Sequence, residues 1–145
     1  METAIREATA DDVNALFRIR TAVRENAMTM AELAEVHITP ATITEMIVTG
    51  SAGAWVAIDN NNTVGFSMSK QEQREVFALF VLPGHEGRGH GCALLNSAVE
   101  WLRLSDSGAI SVSTDSGTRA HGFYLKHGWV EDGQLGTEVR LQLAR

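Results

Sequence analysis

Residues 76–104 read VFALFVLPGHEGRGHGCALLNSAVEWLRL and divide into three parts. Residues 76–82 form a continuous apolar run that ends at Pro83, which is typical of a buried strand. Residues 84–91, GHEGRGHG, form a glycine-rich loop, which we call the glycine loop. The next apolar side chains recur with the spacing of one helix face, at Leu94, Leu95, Ala98, Trp101 and Leu102. The sequence therefore predicts a strand, a glycine loop and a helix in direct succession.

This succession of elements can bind a phosphate group. Glycine adopts backbone conformations that side chains hinder, so several N–H groups can point at one anion. The positive end of the helix dipole then stabilises the negative charge. One phosphate-binding class is disfavoured directly, because a Walker loop requires Gly-Lys-Ser/Thr. Here Gly91 is followed by Cys92 and Ala93, which argues against hydrolysis of a nucleoside triphosphate.

A dinucleotide-binding fold matches the sequence only in part. Asp115 follows a predicted strand, as the acidic residue of a Rossmann fingerprint does. The glycines of the loop, Gly87, Gly89 and Gly91, do not have the spacing of that fingerprint. Strands rather than βαβ units also precede the loop. The remaining option is the pyrophosphate of coenzyme A.

The segment LFVLPGHEGRGHG resembles the acetyl-CoA motif of the GNAT N-acetyltransferase superfamily, a strand followed by Gln/Arg-x-x-Gly-x-Gly/Ala. Glu86, Gly89 and Gly91 occupy the motif positions, with Glu86 where the family usually has Gln or Arg. Residues 117–129, GTRAHGFYLKHGW, are similar to a second family pattern, Asn-x-x-Ala followed by Phe-Tyr and a closing Gly-Phe. Gly117 stands at the Asn position. Two separated motifs in the same order carry more weight than either alone.

The composition is that of one globular domain. The chain has 145 residues, 44% hydrophobic and 21% charged, so we expect a single domain over residues 1–145. The resemblance implies that this is a GNAT acetyltransferase domain. Its net charge of -6 argues against a non-specific nucleic-acid binder and favours cationic small partners. The single cysteine excludes an internal disulfide framework and suits a reducing compartment. Without a recognisable signal peptide or membrane span, the expected location is cytoplasmic.

The other periodicities predict strands at 4–8, 55–58, 64–69, 109–114, 129–131 and 138–143, helices at about 9–24, 40–49, 90–104 and 118–127, and a turn at 105–108. Residues 25–37 read as either a loop or a short helix. The order β-α-α-β-β-β-α-β-α-β-β resembles the GNAT fold over nearly the whole chain. The expected class is therefore α/β of the α+β type, with a central mixed, mostly antiparallel sheet of about seven strands flanked by four helices.

The resemblance implies an acetyl-CoA site. In the family, the strand before the glycine loop separates from its neighbour at a bulge and binds the pantetheine arm and the acetyl group. By this resemblance Leu79, Phe80 and Val81 would hold these groups. The residues implied for the rest of the cofactor are Gly87, Arg88, Gly89, His90, Gly91 and Cys92 through their amides, with Gly117 and Tyr124.

Acetyl transfer to an amine requires a polarised carbonyl, a deprotonated amine and a proton for the departing thiolate. Tyr124 is the predicted acid, because a phenol is protonated at neutral pH. Glu75 occupies the place where histone-type members of the family carry a base carboxylate, and a chain of water molecules is the alternative. The five histidines show no metal-ligand spacing, so we expect acetyl-CoA as co-substrate and no metal.

The family builds its acceptor side from the segment that contains Arg24, Glu25 and Asn26. Glu25, Glu32 and Glu35 cluster there, so the sequence predicts attraction of a cationic amine. The acceptor is expected to be an amine of a small molecule or a peptide. We expect no nucleic-acid or membrane partner, and a homodimer stays open.

The activity predicted from these features is N-acetyl transfer by direct attack within a ternary complex. The alternative is a non-catalytic acyl-CoA-binding or regulatory module with the same fold. If acidic acceptors were preferred over cationic ones, the basic residues Arg20 or Arg24 would define the acceptor pocket.

Overall fold

The computed structural model describes residues 4–105 and 108–143. The strands in these ranges are β1 (Ala4–Glu7), β2 (Ala52–Asp59), β3 (Asn62–Lys70), β4 (Glu75–Val81), β5 (Ile110–Asp115), β6 (Val130–Leu135) and β7 (Glu138–Leu143). The α-helices are α1 (Val13–Arg20), α2 (Met30–Glu35), α3 (Pro40–Thr49), α4 (His90–Ser105) and α5 (Arg119–Lys126), and a 3-10 helix covers Ala10–Asp12. The predicted turn at 105–108 includes residues 106–107, which lie outside the described residues.

The strands form one sheet in the order β1-β2-β3-β4-β5-β7-β6. Every neighbouring pair is antiparallel except β4 and β5, which are parallel. One hydrophobic cluster packs between the sheet and helices α4 and α5, and a second packs between the opposite face and α1 to α3. The predicted fold class, with a mixed and mostly antiparallel sheet of seven strands, is therefore confirmed.

The helix count differs from the predicted four because the open segment 25–37 contains α2. This short helix begins at a capping box, in which Thr29 Oγ1 accepts a hydrogen bond from the Glu32 N–H at 3.1 Å. Glu32 Oε1 accepts one from the Thr29 N–H at 2.9 Å. Two otherwise unpaired backbone donors are thus satisfied, which stabilises a helix start. None of the helices in residues 4–105 and 108–143 has the length and apolar character needed to cross a bilayer.

Helix α1 is shorter at both ends than the predicted range of about 9–24. Before it, the Asp12 carboxylate accepts hydrogen bonds from the Thr9 N–H at 2.8 Å and from both terminal nitrogens of Arg6 at 2.8 and 2.9 Å. These contacts hold the chain in a single 3-10 turn, so the α-helix begins at Val13. It ends at Arg20, and residues 21–29 form a loop that borders the candidate site.

Strand β4 carries a β-bulge at Phe77. In the register with β3, Met68 pairs with Ala78 and Ser69 pairs with Val76, so Phe77 is the extra residue. The bulge places Phe77 and Ala78 on the same sheet face, towards α1 to α3, whereas Val76 packs on the α4 side. The prediction that the whole run is buried was wrong: within β4 only Val76 is buried. The other side chains are half-buried because the strand borders a cleft.

Candidate functional site

The cleft arises where β4 and β5 separate. Their one paired position in the described register is Glu75 with Ser111, and the Ser111 N–H donates to the Arg74 carbonyl at 3.0 Å. Beyond this pair the two strands diverge towards their carboxyl ends. The opening has a volume of about 790 Å³ and is lined by β4, β5, the glycine loop, α5 and the loop after α1. Its volume is within the range of small-molecule and cofactor sites, about 300–1,000 Å³.

The backbone of β4 presents polar groups to this cleft. The Leu82 N–H donates to the Val64 carbonyl of β3 at 2.8 Å. Bonded and non-bonded positions alternate along an antiparallel pair, so Phe80 is the next residue bonded to β3. The N–H and carbonyl groups of Leu79 and Val81 therefore face away from β3, on the side where β5 has diverged. These groups can bind an amide-containing chain or a carbonyl oxygen.

The glycine loop presents backbone N–H groups at the start of α4. Gly87 and Gly89 have φ angles of 79° and 89°, a left-handed region that other residues rarely adopt. The Ala93 N–H donates to the Gly89 carbonyl at 3.1 Å, so the N–H groups at positions 90–92 precede the first helical hydrogen bond. These donors and the helix dipole fit a pyrophosphate group.

The position of α4 is fixed by two buried serines of β3. Ser67 Oγ donates to the Leu94 carbonyl at 2.9 Å, and Ser69 Oγ donates to the Ala98 carbonyl at 3.1 Å. Because both hydroxyls are fully buried, these bonds are shielded from water. They hold the helix on the sheet, and its amino end consequently faces the cleft.

The structure brings most of the predicted site residues to the cleft. From the predicted cofactor set, the residues that line it are Leu79, Phe80, Val81, Gly87, Gly89, Gly91, Cys92 and Tyr124. The predicted acceptor residues Arg24, Glu25 and Asn26 line it as well. Arg88, His90 and Gly117 are not among the lining residues.

The side chains of Arg88 and His90 turn away from the cleft, towards the carboxylate of Asp59. Asp59 Oδ2 lies 3.6 Å from Arg88 Nη1 and 3.9 Å from His90 Nε2. The His90 ring is 1% exposed, and neither of its nitrogens has a hydrogen-bond partner among the described residues. These two side chains therefore lie beside the end of β2, and a ligand in the cleft would contact Arg88 and His90 through their backbone groups.

Gly117 uses its N–H within the protein. It donates to His121 Nδ1 at 3.0 Å, and the other ring nitrogen of His121 lies 2.9 Å from Glu131 Oε2. A neutral His121 with its proton on Nε2 satisfies both contacts. The loop before α5 is therefore held by a side chain of the helix itself.

Glu86 folds back onto the glycine loop. Its Oε1 accepts a hydrogen bond from the Gly84 N–H at 2.9 Å, and its Oε2 lies 3.9 Å from Arg119 Nη1. Burial acts to raise the pKa of Glu86, but backbone N–H groups, Arg119 and Arg24 outweigh it, so the pKa is lowered. The site thus contains a carboxylate at the position where the motif usually has a neutral or basic side chain.

Tyr124 is the buried tyrosine of the cleft wall. Its ring is 4% exposed and packs edge-on against Trp129 at 5.4 Å and Phe123 at 5.7 Å between ring centres. Burial raises the pKa of its hydroxyl well above the usual value, because the phenolate would lose hydration. The hydroxyl has no hydrogen-bond partner within residues 4–105 and 108–143. Tyr124 therefore remains protonated across the neutral pH range.

Glu75 lies at the closed end of the cleft, outside the residues that line it. It pairs with Ser111 of β5 and with Lys70 of β3. Burial raises its pKa, and the charges of Lys70 and Arg140 oppose this effect. Its carboxyl group is thus partly desolvated, as a general base requires, but a contact with a reacting amine would need an intervening group.

The acidic residues of the acceptor segment are partly engaged in backbone contacts. Glu25 Oε1 accepts a hydrogen bond from the Arg119 N–H at 2.8 Å, in the first turn of α5. Glu32 takes part in the capping box of α2. Glu35 is exposed, in the last turn of α2. Attraction of a cationic amine by these three carboxylates stays a prediction, but two of them already accept hydrogen bonds.

Several residues that line the cleft were not predicted as site residues, although Ala120 and Phe123 match the second family pattern. They include Val112, Ser113 and Thr114 of β5, Ala120 and Phe123 of α5, and His127, which directly follows α5. Helical spacing relative to Tyr124 could have identified Ala120 and His127, since they lie at i−4 and i+3. The β5 residues had no such signal, because their place depends on the separation of two strands.

A smaller cavity of about 150 Å³ adjoins the cleft on the α1 to α3 side of the sheet. The residues that line both spaces are Asn26, Phe77, Ala78, Phe80 and Ser113. Arg20 also lines the smaller cavity, and the sequence named it only as an alternative. The spacing of Arg20 could have identified it, since it lies three residues after Phe17 and four after Leu16. This places a cation on the apolar face of α1. No group of three or more potential metal ligands occurs in the described parts of the chain.

Solved structures with this architecture include several acetyltransferases. The PaiA N-acetyltransferase of Thermoplasma acidophilum, solved in complex with coenzyme A, has a TM-score of 0.86 at 15% identity, with 100% of both chains covered. The ribosomal-protein-alanine N-acetyltransferase of Brucella melitensis has a TM-score of 0.75 at 20% identity, with 98% of this chain and 99% of that chain covered. YncA of Salmonella typhimurium, solved with acetyl-CoA, has a TM-score of 0.75 at 17% identity, with 98% and 93% covered. At these identities the similarity establishes the fold.

The sequence itself provides the family assignment. No curated protein sequence matches this chain. A family model described as an acetyltransferase (GNAT) domain matches residues 50–131, which include β4, the glycine loop, α4 and α5. Since the match extends over more than half of the 145 residues and the fold agrees with it, the chain belongs to the GNAT acetyltransferase family.

Proposed function

We propose that this protein is an N-acetyltransferase that moves an acetyl group from acetyl-CoA to a primary amine of a small molecule or a peptide. The observation that carries the proposal is the presence of Tyr124 in the same cleft as the β4 backbone and the glycine loop. A proton donor, carbonyl-binding groups and a phosphate-binding loop thus border one space. Support for acetyl-CoA as the donor comes from the fit of the loop to a pyrophosphate and from two neighbours solved with coenzyme A or acetyl-CoA.

The proposed reaction is direct attack within a ternary complex. The thioester supplies an activated acetyl group, and the amine nitrogen forms a bond to its carbonyl carbon as the carbon–sulfur bond breaks. The N–H groups of Leu79 and Val81 would stabilise negative charge on the carbonyl oxygen. One such donor can lower a barrier by about 3 kcal/mol.

The departing thiolate would receive its proton from Tyr124. Burial keeps the hydroxyl protonated, and the hydroxyl makes no competing hydrogen bond among the described residues. The amine must lose a proton before or during attack. We propose Glu75 as the base. Because Glu75 lies outside the cleft lining, it would accept the proton through a water molecule.

The experiment that tests the proposal is a thiol-release assay with acetyl-CoA against a panel of amines. We expect amine-dependent thiol release and an acetylated product detectable by mass spectrometry. Calorimetry with acetyl-CoA should show one saturable site, which Gly89→Asp weakens strongly. Gly89→Asn is the matched control, since it adds similar bulk without the charge. Saturable binding without acetylation of any amine would favour the non-catalytic acyl-CoA-binding module instead. The cytoplasmic location and the absence of a metal stay predictions, and the choice between monomer and homodimer stays open.

A further inference from the structure

The smaller cavity adjoins the part of β4 where acetyl transfer is proposed to occur, which is the position expected of an acceptor pocket. An inference about its ligand therefore rests on the proposed N-acetyl transfer. It lies against the bulged part of β4, and Phe77, Ala78 and Phe80 border both the cavity and the cleft. A molecule held in it would present a group to the strand that is proposed to bind the acetyl carbonyl. The cavity is on the opposite side of the sheet from α4, so it is separate from the glycine loop.

The walls of the cavity are mostly apolar, and the polar residues in its lining are Arg20, Asn26 and Ser113. Its apolar lining includes Phe17, Leu33, Ile43, Phe66 and Met68. Its volume of about 150 Å³ equals that of a well-known engineered apolar cavity in another protein, which holds a benzene ring. The space is therefore suited to one aromatic or branched aliphatic side chain.

Arg20 provides the only charged side chain in the described lining of the cavity. Its guanidinium carbon lies 4.5 Å from the ring centre of Phe80, and Nη1 donates to the Asn26 carbonyl at 2.9 Å. No carboxylate pairs with it within residues 4–105 and 108–143. Burial lowers the pKa of Arg20, which reflects the cost of a cation that is partly removed from water. A bound anion would offset that cost.

We propose that the acceptor is an amine that carries both a carboxylate, bound by Arg20, and an apolar side chain, held in the cavity next to Phe80. The planar guanidinium has several N–H donors in a fixed arrangement and can bind a carboxylate through two of them. Since one donor is used by Asn26, others are left for the ligand. Amino acids with large apolar side chains have this combination of groups.

Two alternative roles agree less well with the contacts: binding of phosphate by Arg20, and binding of a cationic acceptor by the nearby carboxylates. Arg20 does not line the cleft, so it is not placed to bind the phosphates of coenzyme A. Glu25 and Glu32, which the sequence suggested for a cationic acceptor, accept hydrogen bonds from backbone N–H groups. The charge available in the cavity is therefore positive.

The test compares acceptors that differ in one group. L-phenylalanine and L-phenylalaninamide share the ring and the amine, and only the first has a carboxylate. We expect kcat/KM to be about 10- to 100-fold higher for the acid, the range of a hydrogen bond to a charged group. The comparison is made at several pH values, since the two amines differ in acidity. L-alanine, which lacks the ring, and 1,4-diaminobutane, a cationic amine, should both be poorer than L-phenylalanine. Equal or better turnover of the amide, L-alanine or the diamine would overturn the proposal.

Variants of Arg20 connect the preference to this side chain. In Arg20→Met, which keeps an unbranched chain without the charge, the preference for the acid should disappear. Arg20→Lys keeps the charge and should retain part of the preference for the acid. Melting temperatures and acetyl-CoA affinity of both variants show whether they fold. An acid preference that persists in folded Arg20→Met would contradict the assignment.

A binding measurement separates failure of this proposal from failure of the proposed function. N-acetyl-L-phenylalanine and its amide are titrated into the protein saturated with coenzyme A. We expect the acid to bind about tenfold or more tightly, and the difference to vanish in Arg20→Met. If no amine is acetylated but this difference is found, catalysis fails and the carboxylate pocket stands. If the two ligands bind equally, the carboxylate pocket is wrong whatever the activity.

Discussion

Glu25 Oε1 accepts a hydrogen bond at 2.8 Å from the backbone N–H of Arg119, 94 residues later in the chain. The contact joins the loop after α1 to the first turn of α5. A carboxylate at this place also interacts favourably with the positive end of the helix dipole. The loop that borders the acceptor side and the helix that carries Tyr124 are therefore held at a defined separation across the cleft.

Loss of this contact should weaken acceptor binding. We expect Glu25→Ala to raise KM for the acceptor about three- to tenfold, because an exposed hydrogen bond typically contributes about 0.5 to 1.5 kcal/mol. Glu25→Gln keeps an acceptor oxygen and should show a smaller effect. Steady-state kinetics on both variants provide the measurement. Equal KM values for Glu25→Ala and the unmodified protein would mean that the loop keeps its position without the contact.

Removal of the Tyr124 hydroxyl should slow the chemical step. In Tyr124→Phe the ring packing against Trp129 is retained, and only the proposed proton donor is lost. We expect kcat to fall by about 10²-fold with little change in acetyl-CoA affinity. Because the pKa of Tyr124 is raised, its ionisation should not limit activity in the neutral range. Turnover of Tyr124→Phe at the original rate would leave Tyr124 a packing role only.

The carboxylate of Glu86 should oppose binding of a pyrophosphate. Glu86→Gln removes the charge and keeps an oxygen that can accept from Gly84. Two like charges about 4 Å apart in water repel by about 1 kcal/mol, so acetyl-CoA should bind the variant about fivefold more tightly. The gain should shrink at high ionic strength, since salt screens exposed charges.

Calorimetry at low and high salt measures this difference. Weaker binding by Glu86→Gln would show that the Glu86 carboxylate is needed to position Arg119, which lies 3.9 Å away. Unchanged binding at both salt concentrations would place the carboxylate away from the bound phosphates.

The raised pKa of Glu75 predicts a pH dependence of stability. The folded protein binds this proton more tightly than the unfolded chain does. The stabilisation is therefore complete below the ordinary glutamate pKa and is lost as the pH rises through the raised pKa. Between these two values the free energy of unfolding should fall less steeply in Glu75→Gln, as measured by urea titration at a series of pH values.

The same variant tests the proposed base. If Glu75 accepts the amine proton through water, kcat/KM should fall by about 10²-fold in Glu75→Gln. The rise of kcat/KM with pH should also change its midpoint. An unaltered rate and pH profile, together with the altered stability profile, would assign proton removal to water and leave Glu75 a structural residue.

The sequence by itself determined the order of the strands and of every α-helix except α2, because the signals for these elements are local. The apolar run, the glycine loop and the helical spacing after His90 predicted β4, the loop and α4, and the GTRAHGFY segment placed Tyr124 on a helix. Caps acted in the same way: Thr39, Pro40 and Gly50 marked both ends of α3. Each of these patterns needs only neighbours within about one turn or one strand.

The tertiary structure alone decided how these elements make a site. The bulge at Phe77 and the separation of β4 from β5 depend on registers between strands that are distant in the chain. The contact of Glu25 with Arg119 and the isolation of Arg20 from carboxylates depend on packing across the sheet. Local periodicity indicates which face of an element is apolar. It does not indicate which distant group will pair with a given charge or accept a hydrogen bond from a given N–H. That choice is made only when the faces pack, so the cavity and its charge could not be predicted from sequence.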